Sequence, residues 1–122
     1  MNIAILHYSV PPLVGGVESV IAHHARLMSA DEHSMRLIAA RGESLSAQIP
    51  LTVISLADSR HERVGKMKAQ LDRGEATKDF ESLRYDLVDE LQTSLSGVDI
   101  LIAHNVCSLN KNLALTAALS FT

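Results

Sequence analysis

The chain has 122 residues, 47% of them apolar, and a formal net charge of −3 with its histidines neutral. That length and apolar content suit one domain with a real core and exclude a disordered chain. The weak negative balance and the scarcity of aromatics (Tyr8, Phe80, Tyr85 and Phe121, with no Trp) speak against a nucleic-acid binder. The lone cysteine, Cys107, excludes an internal disulfide and fits a reducing compartment.

Asn2 to Tyr8 is a short apolar run of the kind that forms a buried parallel strand. Val17 to Ser29 is helical, with Val17, Val20, Ile21, Ala25, Leu27 and Met28 on one broad face. Met35 to Ala40 and Leu51 to Leu56 read as the second and third strands. From Asp58 to Gly74 the chain turns polar; its helical pattern is interrupted at Gly65 and stopped at Gly74. Phe80, Leu83, Leu87, Leu91 and Leu95 then recur at helical spacing and predict a helix from Thr77 to Leu95, with Gly97 as its stop. Asp99 to Ala103 is a fourth buried strand, and Leu109 to Phe121 begins a last helix. Strands alternating with helices imply an α/β fold: a Rossmann-like, mainly parallel sheet with flanking helices. The sequence stops within an apolar helical pattern, which reads as the front part of a longer domain.

The loop between the first strand and the first helix carries the most information. Two prolines, Pro11 and Pro12, stiffen its entry, and Gly15-Gly16 lead into the helix. A Gly pair alone is ordinary turn chemistry. Here it lies at the carboxyl end of a strand, where open α/β sheets bind ligands. Glycines there let a ligand approach the backbone, and the helix start offers unpaired N–H groups and the positive end of a dipole, which suit a phosphate. Neither the dinucleotide fingerprint nor a P-loop is present.

His7 ends the first strand and His104 ends the fourth, and in the usual doubly wound order these strands are neighbours. Two imidazoles then border the crevice beside Gly15 and Gly16. No Cys or carboxylate completes a metal set at a recognisable spacing, so no metal is expected. Glu18, Asn105, Lys111 and Asn112 join His7 as candidates for lining the crevice, the last two because they follow strand four near the start of its helix. His23-His24 read as surface residues and Cys107 as a packing residue.

Arg60, Arg63, Lys66, Lys68 and Arg73 form a basic stretch, followed by a helix rich in Asp and Glu. The simpler reading is two helix faces that attract each other. The sharper one is a basic flap toward an anionic acceptor or a membrane surface. A small sheet with an open edge is expected to associate, as a homodimer. No apolar run reaches the length of a membrane span, and Met1-Asn2 leads directly into a strand, so a cytoplasmic protein is expected, peripheral to the inner membrane face if the flap reading holds.

These residues resemble the N-terminal domain of retaining glycosyltransferases of the GT-B type, in particular the large family four. Its members open with an apolar strand, Pro-Pro, a short gap, Gly-Gly-Val/Ile-Glu and an amphipathic helix; here that is IAILHYSVPPLVGGVESVIAHHARLM. Their fourth strand commonly ends in an Asp-Ile/Val stretch closed by His, and VDILIAHN fits it. The resemblance is strongest over residues 3–28 and 98–105. Before strand two the family usually has Gly-His-Glu-Val, and Asp31-Glu32-His33-Ser34-Met35 matches it only in part, without the glycine.

The resemblance implies that residues 1–122 are part of the acceptor-side half of a two-domain enzyme. Such an enzyme moves a sugar from a nucleotide-sugar donor to an acceptor with retention of configuration, and needs no cofactor or essential metal. It implies that Gly15 and Gly16 lie against the donor diphosphate and that His104 sits near the transferred sugar as the catalytic-centre residue. The paired glutamates of the family belong to a C-terminal donor domain that these residues do not include, so turnover by the chain alone is not expected. The rival reading is a non-catalytic, flavodoxin-like nucleotide- or phosphate-binding module using the same Gly-Gly helix start. A dehydrogenase fragment is disfavoured by the missing third glycine and by the lack of an acid ending strand two.

Overall fold

The computed structural model describes residues 1–9, 16–58, 60–74, 78–103 and 112–119. In chain order these form β1 (Asn2–Ser9), α1 (Gly16–Ala30), β2 (Ser34–Arg41), β3 (Leu51–Val53), a 3-10 turn (Ser55–Ala57), α2 (Glu62–Asp72), α3 (Lys78–Ser94), β4 (Ile100–Ala103) and α4 (Leu113–Leu119). The four strands make one sheet in the order β3-β2-β1-β4, with every neighbouring pair parallel. This is the expected Rossmann-like arrangement. β2 and β3 lie to one side of β1 and β4 to the other, so the strand order reverses between β1 and β4, the place where open α/β sheets bind ligands beyond the carboxyl ends of their strands.

Each strand alternates its side chains between two cores. On one face Ile3 and Ile5 of β1 and Met35, Leu37 and Ala39 of β2 pack against Ile21 and Ala25 of α1. On the other, Ala4, Leu6 and Tyr8 join Ile38 and Ala40 beneath Leu83, Leu87 and Leu91 of α3, with Val64 and Met67 of α2 and Leu115 of α4. The leucine stripe read from the sequence is therefore the seam of α3 against the sheet. Helices cover both faces, α1 alone on the first.

Three local departures have identifiable causes. The third strand stops at Val53 instead of Leu56. Ile54 still donates its N–H to the Ala39 carbonyl at 2.8 Å, but the chain then turns and buries Ala57, and Arg41 holds Asp58 at 3.0 Å. Tertiary contacts thus draw the segment out of the sheet. The polar stretch is a full helix, α2, running unbroken through Gly65. His61 caps it, its Nδ1 accepting from the Arg63 N–H at 3.1 Å, and Gly74 ends it at φ 75°, as its sequence position implies.

At the end of α1 the missing glycine has a visible consequence. The His33 N–H bonds back to the Met28 carbonyl at 3.1 Å and closes a Schellman turn. Glu32 occupies the left-handed position at φ 64°, where a side chain is strained and glycine is favoured.

The charged stretch meets the acidic helix as the simpler reading expects. Arg63 lies 2.8 Å from Asp86, Lys66 lies 3.6 Å from Asp79, and Gln70 donates to Asp79 at 2.8 Å. These bases serve the α2–α3 seam. No helix among the described residues is long and apolar enough to cross a membrane.

Candidate functional site at the carboxyl end of β1

Alternation along β1 puts His7 in line with Ile3 and Ile5, on the face covered by α1. Its register partner on β2 is Ala39, a small residue that leaves room for a ring. His7 is one of two buried polar or charged residues among those described. It extends the apolar column with an imidazole exactly one step beyond the last isoleucine's neighbour, beneath the opening turn of α1.

Glu18 comes to meet it. As the third residue of α1 it is the acid of the first turn, a position where the helix dipole favours a negative charge. A glutamate there commonly reaches back to cap the helix start. This one lies with Oε1 3.8 Å from His7 Nε2, and the two side chains are only 15% and 6% exposed. The separation is an ion-pair distance, longer than a hydrogen bond. The Tyr8 ring stands edge-on to His7 at 5.8 Å.

Gly16 opens α1. Its φ is not among the positive values, and a Cβ built on it would meet nothing within 4 Å among the described residues. Neither the backbone conformation nor the packing of the described residues therefore demands glycine here. What a side chain would occupy is the space beside the helix start, next to the N–H groups of its first turn.

The structure thus brings Gly16, His7 and Glu18 together. Asn112 it assigns elsewhere. That side chain, expected to line the crevice, is 1% exposed. Its Oδ1 accepts from the Leu115 N–H at 3.1 Å and caps α4, while Nδ2 donates to the Leu56 carbonyl at 3.0 Å. Both ends of the amide are bonded to the fold and the side chain is buried, so the structure shows Asn112 as a cap of α4. Gly15, His104, Asn105 and Lys111 lie outside the described residues, as does Cys107. The described part of β4 runs parallel to β1 as far as Ala103, opposite Leu6.

One titratable group was not singled out by the sequence. Burial raises the Glu90 carboxyl above its usual range, as do Asp86 and Asp89 beside it, with Arg63 and His61 opposing. It sits on α3, whose stripe packs on the far face of the sheet from His7, and its Oε2 has no hydrogen-bond partner among the described residues. The clustered acids of α3 were legible as charge, but not the burial of one of them. No group of three or more potential metal ligands occurs among the described residues. Comparison of the chain with protein-family models, curated proteins and solved structures finds no match.

Proposed function

We propose that the chain is the acceptor-side half of a retaining glycosyltransferase, with the start of α1 as the seat of the donor's diphosphate. The observation that carries this reading is Gly16: a glycine that the packing of the described residues does not require, opening a helix at the carboxyl end of the central strand beside the reversal of strand order. Backbone N–H groups and the helix dipole supply attraction for the diphosphate, and the absent side chain supplies close approach. His104 contacts the sugar being transferred. The paired glutamates and most of the nucleotide pocket come from a donor domain, so sugar transfer requires that domain as well as this one. Resemblance to family-four enzymes over the Pro-Pro…Gly-Gly-Val-Glu block and the His-ending strand supports the same reading.

Gly16→Ala tests it, because fold and site make opposite demands on this position. Alanine is the better helix residue and meets no obstacle, so stability rises by about 0.5 kcal/mol in urea unfolding. Binding of pyrophosphate and of uridine, adenosine and guanosine diphosphates, measured by calorimetry, weakens by about tenfold as the methyl group fills the approach. Unchanged binding in a stabilised variant would remove the helix start from the site. Tight binding of a nucleoside diphosphate by the chain alone, with no gain from a donor domain, would favour a stand-alone phosphate-binding module instead.

A further inference from the structure

β2 ends on an arginine whose hydrogen-bonding capacity the described fold leaves unused. Arg41 is the last residue of β2, opposite Ser9 of β1 and two residues beyond the His7–Ala39 pair. It therefore stands at the carboxyl end of the sheet, where open α/β folds take their ligands. Gly42 follows at φ 135°, so the strand stops there in a backbone shape that favours glycine.

The guanidinium is held from one side. Its Nε lies 3.0 Å from Oδ2 of Asp58, and the two side chains are 37% and 16% exposed. Asp58 is itself fixed. Its Oδ1 accepts from the Arg60 N–H at 2.9 Å, and its own N–H donates to the Ser55 carbonyl at 3.1 Å across the 3-10 turn. The contact with Arg41 is one of charge: the buried Nε–H is not aimed at the carboxylate and has no acceptor among the described residues. An arginine carries five N–H donors in a planar fork, and here none makes a hydrogen bond to a described residue. Buried donors are nearly always paired. Arg36, on the same strand, shows the contrast. Its Nη1 donates to the Ser94 and Ser96 carbonyls at 2.7 and 3.2 Å and closes the end of α3, which is how an arginine serves the fold. What suits an unused fork steadied by one carboxylate is an oxyanion, whose paired oxygens match the fork's geometry.

We propose that Arg41 is a specificity-determining residue that binds an oxyanion group, phosphate or carboxylate, carried by the acceptor. Asp58 is its positioning residue. The inference rests on the proposed function and names the acceptor's chemistry. The donor's diphosphate is assigned to the start of α1, after β1, whereas Arg41 ends the neighbouring strand on the side away from β4. An anion at Arg41 is therefore a second group, distinct from the diphosphate.

The test uses small anions on the chain, labelled with 15N so that Arg41 reports through its own Nε–H signal. Glucose 6-phosphate and glucuronate present the two oxyanions on a sugar, and glucose is the neutral control. At least one charged sugar shifts the Arg41 signal saturably while glucose leaves it unmoved, and the tighter of the two names the group. Arg41→Lys keeps a cation beside Asp58 but lacks the fork, and weakens that binding about fivefold; Arg41→Gln weakens it by about tenfold or more. Lys66→Gln, in the basic notch between α2 and α3, leaves it unchanged. Pyrophosphate affinity, measured by calorimetry on the same proteins, stays as in wild type in both Arg41 variants. If neither charged sugar moves Arg41, or if both Arg41 variants bind as wild type does, the inference falls and the diphosphate seat is untouched. Loss of pyrophosphate binding in Arg41→Gln would reveal one anion site instead of two and overturn the assignment to the acceptor. Sugar-anion binding at Arg41 without any pyrophosphate binding would instead remove the seat at α1 and leave Arg41 as an anion site.

Discussion

The two faces of the sheet handle charge in opposite ways. On the α2–α3 side the ion pairs lie at the rim: Arg63 and Asp86 are 41% and 44% exposed, and their attraction works through water. On the α1 side a histidine and a glutamate are enclosed at the end of an apolar column. Exposed pairs contribute little to stability and are easily exchanged. An enclosed pair costs desolvation that an apolar pair of similar volume avoids. Stability alone therefore does not account for His7 and Glu18, and the proposed function gives them a place beside the phosphate seat. The difference teaches where to look for function: at polar groups kept inside when a hydrophobic residue would serve the fold better.

Double-mutant cycles make the comparison quantitative and carry its largest expected effect. His7→Ala alone removes the imidazole beside the Glu18 carboxylate and opens a space at the end of the apolar column, and it destabilises the chain by about 2–3 kcal/mol in urea unfolding. Adding Glu18→Ala recovers part of that loss, giving a coupling of about 1.5 kcal/mol. The same cycle on Arg63 and Asp86 gives about 0.5 kcal/mol or less. Equal couplings, or a larger one at the rim, would break the contrast.

Asn112 sharpens it from the other side. This residue is also buried and polar, yet its amide is satisfied at both ends by the fold. Asn112→Ala is expected to cost about 1–2 kcal/mol through the lost α4 cap and the unpaired Leu56 carbonyl. Pyrophosphate affinity stays as in wild type. A loss of affinity at constant fold would return Asn112 to the site.

The smallest effect belongs to Glu90. Its carboxyl is held above the usual 4.5 by burial and by Asp86 and Asp89. A raised folded-state value means that the ionised form is penalised by folding. That penalty is absent below the unfolded-state range and is imposed as pH rises through the folded value. Glu90→Gln therefore raises the thermal midpoint at pH 7 and loses this advantage by about pH 4. A gain of the same size at both pH values would point to packing instead of charge.

Much of this architecture was legible because its signals are local. The apolar runs of β1 and β2 and the stripe at Leu83, Leu87 and Leu91 gave those elements to within a residue or two. β3 was cut short by contacts from distant parts of the chain, among them the Asn112 bond to Leu56, which no window around residues 51–56 contains. α2 was read as an interrupted helical pattern because its composition is polar and its cap is a histidine, an uncommon N-cap. At the site, sequence placed Gly16, His7 and Glu18 at one crevice. It did not show that the carboxylate turns onto the imidazole, because that depends on how α1 settles against β1. The capping role of Asn112 was missed for a related reason: a residue near a helix start is as well suited to capping as to ligand contact, and the sequence does not show its hydrogen-bond partners.

Amide chemical-shift mapping of the 15N-labelled chain with pyrophosphate tests the central claim most directly. The chain offers a basic notch elsewhere as an internal control, about 240 Å³ and lined by Arg63, Lys66, Asp79 and Ser82 at the α2–α3 seam. The account predicts saturable shifts at His7, Gly16, Val17 and Glu18, with the amides of Arg63, Lys66 and Ser82 unmoved. Shifts confined to the α2–α3 notch, or no saturable shift at the start of α1, would contradict it.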